Sequence, residues 1–199
     1  MKKLLALLLA MALAITMCAC GKKEETPTSA EEMATTFIRA YCTKDKLTYF
    51  PLYLHNERQR WEEQLLKDHG SEEAFCAVVQ QQADEKGLSV EVHSFDDYLR
   101  EFHNTYLNDA QAKYGDHTVS TELTKSALMS AEELASFLES WKGGTFAAYV
   151  AESELDKITE AYAMTVTFRV DGTITDYQET YQITVVLHDG QWKVATHSA

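Results

Sequence analysis

The chain predicts an α+β domain in which N-terminal helices pack on a curved antiparallel β-sheet of about four strands. Three observations carry this. Capping residues precede apolar runs of helical spacing through the first two thirds of the chain, the period drops to two near residue 160, and Asp-Gly pairs punctuate the alternating runs. Helices followed by a stranded meander form the α+β pattern.

The first element is a leader. Met1-Lys2-Lys3 precedes an uncharged apolar run from Leu4 to Met17, too short to cross a bilayer and laid out as a secretory signal. Two cysteines end it. Met17-Cys18-Ala19-Cys20 resembles a bacterial lipobox: small Ala19 precedes Cys20 and Gly21 follows it, whereas bulky Met17 disfavours Cys18. Residues 1–19 then form a lipoprotein signal peptide, Cys20 becomes the lipidated first residue, and residues 20–28 form the tether. The alternatives are cleavage after Ala19 without lipid and a retained membrane helix. Gly21 to Thr28 is polar and aperiodic, a leash of roughly 25 Å when extended.

Charge narrows the partners. The chain has 199 residues with 18 basic and 31 acidic side chains, a net charge of −13, and loss of Lys2 and Lys3 with the leader brings it to −15. Such a chain is repelled by nucleic acid and anionic headgroups, so attachment to the membrane rests on the lipid. With 45% hydrophobic residues and two prolines, residues 29–199 suit one extracytoplasmic domain with a sizeable core.

The helices are announced by their caps. Ser29 with Glu32 forms a capping box ahead of Met33, Phe37 and Tyr41; Ser130 with Glu133 repeats it ahead of Leu134, Phe137, Leu138 and Trp141. The flanking sequences do not align, which argues against an internal repeat. Between them Asn56, Ser71 and Ser94 open helices closed by Gly70, Gly87 and Gly115.

The last third is stranded. Tyr162, Met164, Val166, Phe168 and Val170 alternate with small or polar residues, and Tyr177, Tyr181, Ile183, Val185 and Leu187 continue the pattern. With hairpins at Asp171-Gly172 and Asp189-Gly190, strands are expected at about 160–170, 174–188 and 191–197. A fourth is expected at 117–128, with a short piece at 88–93.

These residues, with "YQITVVLHDGQWKVA" at the end, resemble the nuclear-transport-factor-two-like, or cystatin-like, fold. More narrowly, residues 116–197 plus the lipobox resemble uncharacterised lipoproteins of Gram-positive, clostridia-type bacteria. The resemblance implies helices held in the hollow of a curved sheet, and in enzymes of the fold an acid, Tyr or His inside the cone. Residues 44–115 lie outside it.

Candidate chemistry is sparse. Glu179 sits between Tyr177 and Tyr181 on the apolar strand face, either as a buried acid beside phenols or at an exposed strand start. His93 and His103 flank the Ser94 cap, yet no metal-ligand spacing supports them, and His55, His69, His117, His188 and His197 read as single surface histidines. Trp61, Trp141 and Trp192 read as packing residues rather than stacking platforms, and Asp96-Asp97 as a helix-start pair rather than a calcium site. Cys42 and Cys76, the thiols left once Cys20 is acylated, form a candidate disulfide, or remain two buried thiols. No catalytic residue, cofactor or metal site is assigned. The expected function is a membrane-anchored lipoprotein at the extracytoplasmic face of the cell membrane, whose domain binds a protein, peptide or small apolar ligand without catalysis. The alternative is a cone-pocket enzyme of the isomerase, dehydratase or hydrolase kind.

Overall fold

The computed structural model describes residues 27–142 and 148–199. The leader, Cys20 and all but the end of the tether lie outside the described residues. Helices come first: α1 (Ala30–Cys42), α2 (Lys46–Tyr49), a 3₁₀ turn (Phe50–Leu52), α3 (Glu57–His69), α4 (Glu72–Glu85) and α5 (Phe95–Tyr114). Strand β1 (His117–Leu128) follows, then α6 (Ala131–Lys142), α7 (Glu152–Leu155), β2 (Ile158–Gly172), β3 (Tyr177–His188) and β4 (Gln191–Ser198). The four strands form an antiparallel meander in the order β1-β2-β3-β4, giving the α+β architecture.

Every predicted cap is in place. The side chains of Ser29, Asn56, Ser71, Ser94 and Ser130 each accept a hydrogen bond from the backbone N–H three residues on, at 3.0–3.3 Å. This satisfies a donor that a helix start otherwise leaves orphaned. At Ser130 the box is reciprocal, since Glu133 accepts from the Ser130 amide at 2.7 Å. Glu32 instead reaches one residue further back, to the amide and hydroxyl of Thr28.

The sheet is buried on both faces. On the inner face Met164, Val166, Phe168, Val170, Tyr181, Ile183, Val185 and Val194 meet Met33, Phe37 and Ile38 of α1. Removing such side chains from water stabilises the fold by roughly 1.5–3 kcal/mol each. On the outer face Ala161, Val186 and Ala195 pack with Trp141, Leu155 and Ile158. A third cluster, Phe75, Cys76, Val92 and Phe95 with Trp61 and Leu65, joins α3, α4 and α5.

Two strand expectations need correction. Residues 88–93 form no strand. The side-chain amide of Gln80 donates to the Val90 carbonyl and accepts from the Val92 amide, both at 3.0 Å, so it supplies what a neighbouring strand would. The hairpin expected at Asp171-Gly172 lies further on, because β2 runs through Gly172 and the loop spans 173–176. Gly172 is required there by close packing: a Cβ would stand 2.5 Å from the Tyr114 carbonyl oxygen and 2.6 Å from that of Thr175. The second hairpin turns where expected, with Asp189 and Gly190 both at positive φ, 48° and 75°.

Candidate functional site

The site is built by a strand irregularity. From Trp192 and Val194 on the inner face, strict alternation would place Thr196 inward and His197 outward. The pairing of β3 with β4 shifts between Thr184 and Val185, so Val194 opposes Val185 while His197 opposes Ile183, an inner-face residue. An extra residue in one strand re-aims the side chains beyond it. His197 therefore turns inward, its ring 5.1 Å from that of fully buried Phe37 on α1.

A second segment completes it. After the 3₁₀ turn, Tyr53 bridges to Val194 in parallel and the Leu54 amide donates to the Val194 carbonyl at 2.8 Å, so residues 53–55 run beside β4. Lys193 fixes the approach by donating to the Pro51 carbonyl at 2.9 Å. Asn56 then starts α3, which places Glu57 in the first helical turn, where the helix dipole favours its charge.

Between these segments lies a pocket of about 400 Å³ lined by Tyr41, Tyr49, Tyr53, His55, Glu57, Arg60, Ala195, Thr196 and His197. Several of its polar groups meet one another. His55 Nε2 lies 2.9 Å from Glu57 Oε2, Arg60 donates to both Glu57 oxygens at 2.8 and 2.6 Å, and the Tyr53 hydroxyl lies 3.3 Å from His197 Nδ1. Burial pushes the Glu57 carboxyl up, but hydrogen bonds from His55 and Arg60 outweigh it and hold the group at about 2. Burial raises the Tyr49 and Tyr53 phenols well above their ordinary value and lowers His197, so near neutral pH the phenols stay protonated and His197 stays neutral.

His55 and His197 are thus not surface histidines. His55 is 3% exposed, and His197 is half-buried. The hydrophobic Tyr53-Leu54 run and the position of Glu57 two residues on could have flagged His55, whereas a β-bulge leaves no signal in hydrophobic alternation. The other histidines stay apart: His93 is exposed beside Glu91, His103 Nδ1 contacts the Thr43 carbonyl, His117 contacts that of Gly115, His188 meets Glu154, and His69 packs on Phe75. Among the described residues no three His, Cys, Asp or Glu side chains could hold a metal, and no helix is long and apolar enough to cross a membrane.

Glu179 meets both of its expected neighbours without entering the pocket. It opposes Phe168 on the inner face, accepts hydrogen bonds from the Tyr177 and Tyr181 hydroxyls, and remains partly exposed at the sheet's margin. Those bonds lower its pKa, so it is an anchored anion. Burial pushes the Cys42 thiol up to about 11, a shift that the Tyr181 hydroxyl opposes. Cys42 belongs to the inner-face cluster and Cys76 to the cluster of α3, α4 and α5; both are buried and free, so the candidate bridge is not made. Trp61, Trp141 and Trp192 pack within their clusters, and Asp96 pairs with Arg58. Compared with known proteins, the chain matches no family model, no curated protein and no solved structure.

Proposed function

We propose that the protein is a membrane-anchored lipoprotein, held by diacylated Cys20, whose extracytoplasmic domain binds a small molecule in the pocket between α1, α3 and β4. The observation that carries the binding reading is the convergence of Tyr41, Tyr49, Tyr53, His55, Glu57, Arg60 and His197 on one cavity of about 400 Å³, the size of a small-ligand site. The resemblance to cystatin-like lipoproteins is in keeping with this reading, since it implies helices held in the hollow of a curved sheet.

An enzymatic reading is favoured by one observation, the Tyr53–His197 pair facing the cavity. Against it, Glu57 is saturated by three donors, and phenols shifted upward do not ionise near neutrality. The two imidazoles left to move a proton are each engaged, His55 with Glu57 and His197 with Tyr53, so binding without chemistry fits better.

The binding claim is tested by thermal-shift screening of the full-length chain in a non-ionic detergent against a library of water-soluble small molecules. At least one compound should stabilise the wild type but not a His197→Trp variant, whose larger ring fills the pocket that His197 faces. Absence of any compound that separates the two would overturn it. The anchor is tested separately by intact mass and by Cys20→Ala, which should release the protein from membranes; continued sedimentation with them would refute lipidation at Cys20.

A further inference from the structure

The pocket's walls have a specific order. Tyr41 and Tyr49 stand 5.5 Å apart at 62°, Tyr49 and Tyr53 6.3 Å apart at 77°, Tyr53 and His197 5.9 Å apart at 50°, and His197 and Tyr41 4.3 Å apart at 68°. Each ring is steeply inclined to the next, and the circuit closes. Phe37, 0% exposed and not itself a lining residue, packs behind all four and fixes them, with centroids 6.0, 5.8, 4.9 and 5.1 Å from Tyr41, Tyr49, Tyr53 and His197. All four wall residues line the cavity. A positive group held in the cavity against the four lining rings would lie within the roughly 6 Å reach of cation–π attraction to several of them at once.

Charge points the same way. Among the lining residues Arg60 is the one fixed cation, and its Nε and Nη2 are spent on Glu57 while its side chain, 44% exposed, leans over Tyr149. Among the lining residues that leaves no unpaired fixed cation to attract an anion, and Lys44 Nζ already lies 5.2 Å from the Tyr41 centroid, the kind of contact a ligand cation would make. The neutral phenols offer π faces, and a chain of net charge −13 draws cations toward its surface.

We propose that the ligand carries a small organic cation, an ammonium or methylated ammonium group, seated in the cavity against Tyr41, Tyr49, Tyr53 and His197. This rests on reading the pocket as a small-molecule site and names the chemistry it selects.

The test is calorimetric titration of the full-length chain in detergent with choline, tetramethylammonium, the neutral choline isostere 3,3-dimethylbutan-1-ol, and acetate. Choline should bind saturably and about tenfold or more tighter than its isostere, a margin within the range of desolvated cation–π pairs. Tyr53→Leu should weaken it about tenfold, while Tyr53→Phe, which keeps the ring and the fold, should hold it within about twofold. Equal binding of the isostere, preference for acetate, or no binding of either cation would overturn the cation assignment. The pocket reading itself would then still stand or fall on the library screen against His197→Trp.

Discussion

Replacing Glu57 by Gln removes the charge that organises the pocket's mouth while keeping its shape. The carboxylate accepts from His55 Nε2 at 2.9 Å and from Arg60 Nε and Nη2 at 2.8 and 2.6 Å. An amide keeps one acceptor oxygen and turns an NH₂ toward a donor. A charge-assisted hydrogen bond contributes about 1.5–3 kcal/mol when buried, but Arg60 is well exposed, so solvent screening brings the expected loss to roughly 1–3 kcal/mol in total. For a chain of this size that is a fall of about 2–10 °C in melting temperature. The sign with pH follows from the depressed pKa. Folding holds Glu57 at about 2 against an ordinary 4.5, so its contribution is complete above 4.5 and is lost as pH falls toward 2. Urea unfolding of wild type and Glu57→Gln from neutral pH down through the acid range should show the gap closing below 4.5. A gap independent of pH, or none at neutrality, would refute Glu57 as the pocket's charged brace.

Other consequences can be measured alongside. Val166→Ala and Ile183→Ala, at residues 0% and 2% exposed, should each lower stability by roughly 1–4 kcal/mol through lost burial and a residual cavity, whereas Glu179→Gln should change it by less than about 1 kcal/mol; equal effects would contradict the placement of Glu179 at the margin. Gly172→Ala should cost about 2–4 kcal/mol in chemical unfolding, because its Cβ meets the backbone oxygens of Tyr114 and Thr175, and a neutral result would mean that contact relaxes freely. With Cys20 acylated as proposed, thiol titration of the unfolded, unreduced chain should count both Cys42 and Cys76, and in the folded chain Cys42 should alkylate slowly near neutral pH. A count of none would establish the bridge the structure lacks.

The capped helices and the alternating strands were legible because each rests on local chemistry. Ser29, Asn56, Ser71, Ser94 and Ser130 cap by reaching three residues along, and Met164 to Val170 read as one face because a strand's period is two. The pocket was not legible, because it depends on two non-local events. One is the β3–β4 register shift that turns His197 toward Phe37; the other is the parallel seating of Tyr53 and Leu54 against Val194. Neither leaves a pattern in hydrophobicity. Residues 88–93 failed as a strand for a similar reason, since their backbone partner is the side chain of Gln80, ten residues away.

His197 reports on the central claim, that the β4 bulge makes a ligand pocket at the sheet's edge. Phe37 and Tyr41 from α1, Tyr49 from α2, and Tyr53, His55, Glu57 and Arg60 from the following segment surround it. Burial lowers its pKa below the ordinary 6.5 and His55 adds to that, while Glu57 opposes both. Its neutral form is therefore favoured in the folded chain, and the stability this gives is present above 6.5 and lost as pH falls through the lower folded value. An NMR titration of the His197 imidazole, with and without saturating choline, is the most direct measurement. The expected result is a midpoint below 6.5 that choline lowers further, because a bound cation resists a second positive charge in the same box. A midpoint at 6.5 in the free chain would place His197 in open solvent and contradict the pocket, whereas a midpoint below 6.5 that choline leaves unmoved would overturn the cation assignment alone.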